Sequence, residues 1–475
     1  MAAGSGSPAS QRRLRISTSP ALEPVFQPQV HDYVARCGTR GLHLDADAPS
    51  GTHLLLDGAS VAKRHLRRWR RLGTGEETTV SLLGDQHRSS YRIRCLPSDF
   101  PRYTAEVSGP RQARWYIVTP HPWETSASYV AILDRNGVPV WWMREKGATD
   151  NATLGPGGTI AWVTFLSERV AFPAFAVHTL DGRTVENVSS HGVNFPDWHE
   201  LRPTSNGDFL ILGTDLRDGV DLHRYGGPRQ ATVSDGVVQE VTPRGNVVWS
   251  WSTAGHLHPA ETGRWYKLSV LQTGWHLPDG RTSYDLYHLN SASEQGDRIL
   301  ISARQTDALY EIDRSSGKII WKLGGTRTKK SLTVIGTKHP ERLFGGQHDA
   351  TLLPNGTVTV HDNSAGWNRA PRALRLKIDL ARRTARVIDR FVLRPRVGSF
   401  CCGSVRRLPG GDWVISWGAI NEVEELQPDG HPVLTVRFRP GVFSYRAIPV
   451  LGGQLSGAAI RRGMDAMAAA ARASR

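Results

Sequence analysis

The chain has 475 residues, a formal net charge of +15 and 39% apolar residues, which is ample for a buried core and excludes disorder throughout. No run approaches the ~18 uninterrupted apolar residues of a membrane-spanning helix, and Arg12, Arg13 and Arg15 are followed by no apolar stretch of the signal-peptide kind. The 48 Gly, 28 Pro and 15 Trp, with few long runs of helix formers, predict an all-β protein. The compartment stays open: either the protein remains inside the cell or it is exported from a start other than the one written here.

Residues 1–22 read as a disordered basic tail. Residues 23–108 follow as a small β-sandwich, with alternating runs at Val30–Arg36, Leu42–Leu44, His53–Leu56, Thr78–Leu83 and Tyr91–Arg94, split by turns such as Asp57-Gly58. Within it, the basic cluster from Lys63 to Arg71 reads as a solvated loop or strand edge, and no nucleic-acid partner is expected. Cys37 and Cys95 end two runs of the same alternation. A disulfide and a pair of buried free thiols fit equally well.

From residue 109 to 452 a two-part pattern recurs. One half is a tight turn before an apolar strand, as in Ser205-Asn206-Gly207, Pro354-Asn355-Gly356 and Pro409-Gly410-Gly411. The other is a hairpin with a polar turn, often ending in Trp, as in Asp134–Trp141, Pro243–Trp249 and Asp313–Trp321. Two hairpins make a four-stranded unit, and tandem four-stranded units predict a six-bladed β-propeller. The blades fall near 115–145, 151–189, 199–252, 288–325, 348–391 and 403–438, with Tyr445–Val450 left to close the ring on the first. Residues 453–475 read as a C-terminal helical tail lying on the surface, with no chemistry assigned.

Three innermost strands open on histidine: His199, His288 and His348. In a propeller these positions lie at one depth around one axis, so three imidazoles are expected to converge. Each has a carboxylate within three residues, Asp197, Asp285 and Asp349 respectively, suited to holding one ring nitrogen while the other acts. The spacing is too long to specify a metal, and neither metal nor other cofactor is assigned. Arg304 and Arg446 join the set, because a guanidinium matches two oxygens of a tetrahedral oxyanion. The long segment from Gly255 to Tyr287, with His256, His258, Trp265, Trp275 and His276, reads as a functional cover.

The motifs Tyr287-His288-Leu289-Asn290-Ser291, Ile301-Ser302-Ala303-Arg304-Gln305, Gly346-Gln347-His348-Asp349, Asp362-Asn363 and Tyr445-Arg446-Ala447, in this order over about 115–450, resemble the arylsulfotransferase family, in its actinobacterial and fungal branch. The resemblance implies a six-bladed propeller that moves a sulfuryl group from a phenolic sulfate ester to a phenol without a nucleotide donor, through a transiently sulfated histidine. It implies that His288 and His348 line the sulfate pocket with Asn290. Two departures stand out. The nucleophilic histidine expected in Ser416–Asn421 is missing, and Trp367 stands where an arginine is expected after Asp362-Asn363, with Arg369 two residues on. His348 is then the candidate nucleophile, with His288 or His199 for proton transfer. The alternative is a catalytically inactive propeller that binds a sulfated or other anionic ligand.

Overall fold

The computed structural model of the protein describes residues 14–84, 87–123, 125–165, 174–272, 274–394 and 398–474. Among these the chain is all-β, in eight sheets, with helical structure limited to short turns and one C-terminal helix, Gly457–Ala473. The turn chemistry read from sequence sets strand starts directly. Gly356 takes φ +72, and the Asn355 Oδ1 accepts from the backbone N–H and hydroxyl of Thr357 at 3.1 and 2.7 Å, so the strand Thr357–Asp362 begins from a locally fixed turn.

Two sheets form the N-terminal part. Arg15–Ser19, Leu42–Asp47 and His65–Arg70 make a three-stranded sheet; the other has six strands, in which Asp32–Ala35 runs parallel to Arg88–Cys95. Alternate residues Leu42, Leu44 and Ala46 are buried and share a core with Tyr33, Leu54, Val80 and Ile93 of the other sheet. Two expected boundaries shift. Part of the expected tail is folded, because Arg15–Ser19 pairs with Leu42–Asp47, while residues 1–13 lie outside the described residues. The boundary at 108 also moves, since Tyr103–Val107 adds an edge strand beside Pro432–Phe438.

Six further sheets follow. The first takes its strands from 115–146, the second from 148–188, the third from 195–285, the fourth from 289–324, the fifth from 333–392 and the sixth from 404–438. Val442–Val450 returns to pair with Trp115–Pro122, so the first sheet is built from both ends of this region. The strands Ala148–Leu154, Phe195–Pro203, Leu289–Gln295, His348–Leu352, Ser404–Arg407 and Val442–Val450 each contact the next, and the last contacts the first. An apolar layer fills the space between successive sheets.

The C-terminal helix is not confined to the surface. It buries Ile460 and Met464 in the same cluster as Trp115, and Trp115 Nε1 donates to the Leu455 carbonyl at 3.1 Å. Arg461 pairs with Asp32 at 2.7 Å and Asp465 with Arg94 at 2.8 Å, so the helix ties the N-terminal sheets to the first sheet. No helix among the described residues is long and apolar enough to cross a membrane. Ile460→Ala empties a fully buried site, and a loss of roughly 2–4 kcal/mol in unfolding free energy is expected by denaturant titration; a change below about 0.5 kcal/mol would contradict this role for the helix.

Candidate functional site

The histidine-bearing strands share a local irregularity. Pairing register shifts between Asp197 and Leu201, between Leu289 and Ser291, and between His348 and Thr351. Such bulges re-aim side chains out of the regular alternation. At the first of them, Asp197 Oδ1 accepts from both the backbone N–H and Nδ1 of His199, each at 2.7 Å. Asp285 does the same for His288, through Oδ1 to the backbone N–H at 2.9 Å and Oδ2 to Nδ1 at 2.6 Å. His288 takes φ +49, left-handed for a non-glycine residue, and its own carbonyl accepts from the Arg304 N–H at 2.9 Å. Each aspartate therefore fixes the backbone and the ring together, and puts the proton on Nδ1, leaving Nε2 as the nitrogen available to a ligand.

The two rings meet edge to face with centroids 4.6 Å apart. They line a small cavity of about 80 Å³ with Asp197, Asp285 and Trp198. Part of its lining comes from the long segment after Val247–Ser252, which adds to the third sheet: Thr282–Asp285 pairs with Ala231–Val241 and Trp275–His276 with Thr282–Asp285, and Trp275 and His276 face the same cavity. Burial pushes the Asp285 carboxyl upward, but His288 and His199 beside it prevail and bring it below its ordinary value.

Arg304 is a buried guanidinium that stacks on Trp265 at 4.5 Å, and its Nη2 donates to the Phe400 carbonyl at 2.6 Å. Among the described residues no carboxylate oxygen lies within 4.0 Å of its nitrogens. Burial pushes its pKa down, against the pull of Asp307 and Asp285. Trp265 also stacks on Arg264, which in turn stacks on Trp367, so guanidinium and indole alternate beside the site.

His348 differs from the other two. Its Nδ1 contacts the Gly346 carbonyl at 2.9 Å and the Asn363 Oδ1 at 2.7 Å, and its Nε2 accepts from the Cys402 N–H at 3.1 Å. Both nitrogens are thus committed in the neutral ring. Burial, with Arg304 nearby, pushes its pKa well below the ordinary imidazole value. The Nε2 lone pair is not free to attack, so His348 is a poor nucleophile. Its expected orienting partner Asp349 turns elsewhere, to Arg406 at 2.6 Å and Arg202 at 3.1 Å, and Asn363 takes the role instead.

Three expected substrate contacts also serve structure. Arg446 is buried against Glu200 at 2.5 Å and donates to the carbonyls of His199 and Asn290. Arg369 bonds Asp362 at 3.0 Å and the Arg342 carbonyl at 2.7 Å. Asn290 is fully buried and donates to the Gln347 carbonyl at 2.7 Å. Cys37 and Cys95 are disulfide-bonded in the N-terminal core, and Cys401 is bonded to Cys402. Trp417 in the Ser416–Asn421 segment is buried, its Nε1 donating to Glu424 at 2.7 Å.

The structure adds residues that sequence reading passed over. His121 Nε2 lies 2.9 Å from Asp150 Oδ1, a further buried imidazole–carboxylate pair. Tyr445 is buried between the His199 and His348 rings, with each centroid 6.4 Å away, and its hydroxyl has no partner among the described residues. In Tyr445-Arg446-Ala447 the charge that points to an anion is on Arg446, and nothing in the spacing marks Tyr445.

The arylsulfotransferase (ASST) family profile matches residues 176–439, more than half of the sequence, and the chain belongs to that family. No curated protein matches the sequence. Solved structures similar to it include a Bacteroides caccae protein of unknown function, at 14% identity and TM-score 0.43 over 71% of this chain and 99% of that one. Virginiamycin B lyase from Staphylococcus aureus is similar at 10% identity and TM-score 0.35, over 75% and 90% of the two chains. A third is a 6-phosphogluconolactonase-like protein from Bacteroides fragilis, at 11% identity and TM-score 0.35, over 84% and 98%.

Behind His348, His361 pairs with it in register and is fully buried, with neither ring nitrogen bonded among the described residues; burial pushes its pKa down to about 4. Gly403 at φ +98 lies against this ring, and a Cβ there would come within 2.4 Å of it. A depressed folded-state pKa means the unfolded chain takes up the proton first as pH falls. Stability from this group is therefore complete above about pH 6.5 and declines towards pH 4, by roughly 3 kcal/mol. Denaturant titrations between pH 7 and 4 are expected to show His361→Leu with a flatter decline than the parent; equal slopes would contradict the burial of a neutral imidazole.

Proposed function

We propose that the protein is an aryl sulfotransferase whose six C-terminal sheets act as the blades of a β-propeller, preceded by a β-sandwich, and that the sulfuryl group is handled at the His199–His288 cavity. A phenolic sulfate ester is the donor, a phenol the acceptor, and no nucleotide takes part. The observation that carries this reading is the pair of aspartate-held imidazoles, 4.6 Å apart, with Arg304 tied to the His288 carbonyl through its backbone N–H and its guanidinium lacking a carboxylate partner among the described residues.

His288 is the more exposed of the pair, with 22% of its side chain accessible against 9% for His199, which favours it as nucleophile. Its Nε2 attacks sulfur, an N–S bond forms, and the S–O bond to the donor phenol breaks. His199, in its protonated form, gives its Nε2 proton to the departing oxygen. The acceptor phenol then returns a proton to His199 as its oxygen attacks sulfur and the N–S bond breaks. Arg304 balances the sulfuryl oxygens, and its stacking on Trp265 holds the guanidinium in place. Asp285 and Asp197 hold the rings in the tautomer that both steps need.

The second reading, an inactive propeller that binds a sulfated ligand, is favoured by Trp417 occupying the segment where the family's nucleophile is expected. Incubation with 4-nitrophenyl sulfate and a phenol separates the two. Release of 4-nitrophenol that depends on the acceptor is expected, with His288→Ala and His199→Ala each lowering kcat by about 10²–10⁴ and Arg304→Gln by about 10²–10³. His348→Gln is expected to act through stability more than turnover. A peptide containing His288 that gains one sulfo group after donor exposure supports the covalent route. Saturable ester binding by the folded protein without turnover would establish the second reading instead.

A further inference from the structure

A second concave site lies where the N-terminal sheets meet the first of the six. It is a cleft of about 560 Å³ lined by Arg88 and Arg92 from the six-stranded sheet, Arg111, Arg114 and Arg135 from the first sheet and its approach, and Arg461 from the C-terminal helix. Its acidic groups are Asp32 and Asp134, and both are already engaged. Asp32 is paired with Arg461 at 2.7 Å. Asp134 Oδ1 accepts from the backbone N–H groups of Asn136 and Val138 at 2.8 and 2.9 Å, and its Oδ2 from the Asn136 amide at 3.2 Å.

Arg92 has Glu77 at 3.8 Å. For Arg88, Arg111, Arg114 and Arg135, no carboxylate oxygen of the described residues lies within 4.0 Å of the guanidinium nitrogens. Arg111 and Arg135 are also locked side by side. Arg111 Nε donates to the Arg135 carbonyl and Arg135 Nη2 to the Arg111 carbonyl, both at 2.7 Å. Arg111 Nη2 adds a bond to Asn136 Oδ1 at 3.1 Å and its Nη1 one to the Gly109 carbonyl, so each of these two nitrogens keeps only its second proton for a ligand, and Arg135 Nε is buried with no partner among the described residues. Burial and the neighbouring Arg135 push the Arg111 pKa below its ordinary value. Two like charges held near one another by these backbone bonds, half-buried and with no carboxylate oxygen of the described residues within 4.0 Å, repel unless an anion lies against them.

We propose that this cleft is a second ligand site, which takes a small molecule bearing phosphate or sulfate groups with more than one negative charge, its oxygens shared between Arg111 and Arg135. Planar guanidiniums suit bidentate contact with tetrahedral oxyanions. The concave walls and the volume fit a small ligand better than a duplex or an extended polymer. Arg114, stacked at 5.0 Å on Trp115, is placed to close one side. The site is independent of the histidine cavity, and its occupant ties together the two parts of the chain that the C-terminal helix also joins.

Titration calorimetry on the full chain tests this, with inorganic pyrophosphate and inorganic sulfate as probes at constant ionic strength. Saturable one-site binding of pyrophosphate is expected, weaker for sulfate. Arg135→Gln and Arg111→Gln should each weaken it at least tenfold, and Arg229→Gln, outside the cleft, should leave it unchanged. Because Arg111 and Arg135 also bond backbone carbonyls, Arg114→Gln provides a variant that spares those bonds; it is expected to weaken binding severalfold with an unchanged melting temperature. Absence of saturable heat for both anions, or equal affinity in the folded variants, would overturn the proposal. Tight binding of an oligonucleotide or sulfated polysaccharide with none of pyrophosphate would replace it with a polymer-binding surface.

Discussion

The structure depends on a group of buried charges at the centre of the six sheets. Glu200 and Asp349 are both buried there, and charges removed from water must be paired. Arg202 contacts both carboxylates at 3.1 Å, Arg406 takes Asp349 at 2.6 Å and Arg446 takes Glu200 at 2.5 Å. These residues come from the third, fifth, sixth and first sheets, and the Arg446 contact with the Asn290 carbonyl brings in the fourth. Burial, with Arg202 alongside, pushes the Arg406 pKa down to about 10, while Glu200 and Asp349 outweigh burial to raise that of Arg446. Breaking one pair would leave an uncompensated charge in the interior, so the five residues specify how the sheets meet.

The histidine cavity inherits its geometry from this group. Glu200 follows His199 directly, and Arg446 donates to the His199 carbonyl, so the strand carrying the first imidazole is anchored one residue from its ring. Asp197 and Asp285 then set each ring through paired contacts to side chain and backbone. Three guanidiniums face two carboxylates behind the cavity, and Arg304 bonds the His288 carbonyl through its backbone N–H. This local excess of cations supports the proposed anionic donor independently of the net charge of the whole surface.

Much of this was legible in the sequence, and the rest failed for a common reason. The all-β class followed from turn residues and short apolar runs. His199 and His288 stood out because a repeat placed them at matched positions, and Asp197 and Asp285 because a short spacing limits where a carboxylate can reach. The same spacing misassigned Asp349: at φ +53 its side chain leaves the His348 side and meets Arg406 and Arg202. Arg446 and Arg369 carried the right charge for an oxyanion, but sequence does not show that Glu200 and Asp362 already occupy them. Glu200, Arg202 and Arg406 carry no mark in the sequence, because charged residues on strands usually face solvent. The tie made by the C-terminal helix was hidden likewise, because its partners Asp32 and Arg94 are several hundred residues away.

A crystal structure of the protein soaked with an unreactive aryl sulfate or with sulfate ion bears most directly on the account of the site. The tetrahedral group is expected within hydrogen-bonding distance of the Nε2 atoms of His199 and His288 and of a guanidinium nitrogen of Arg304, with the His348 ring still bonded to Asn363 and Cys402. A sulfate group held elsewhere on the protein, with those two Nε2 atoms turned away from it, would contradict the account.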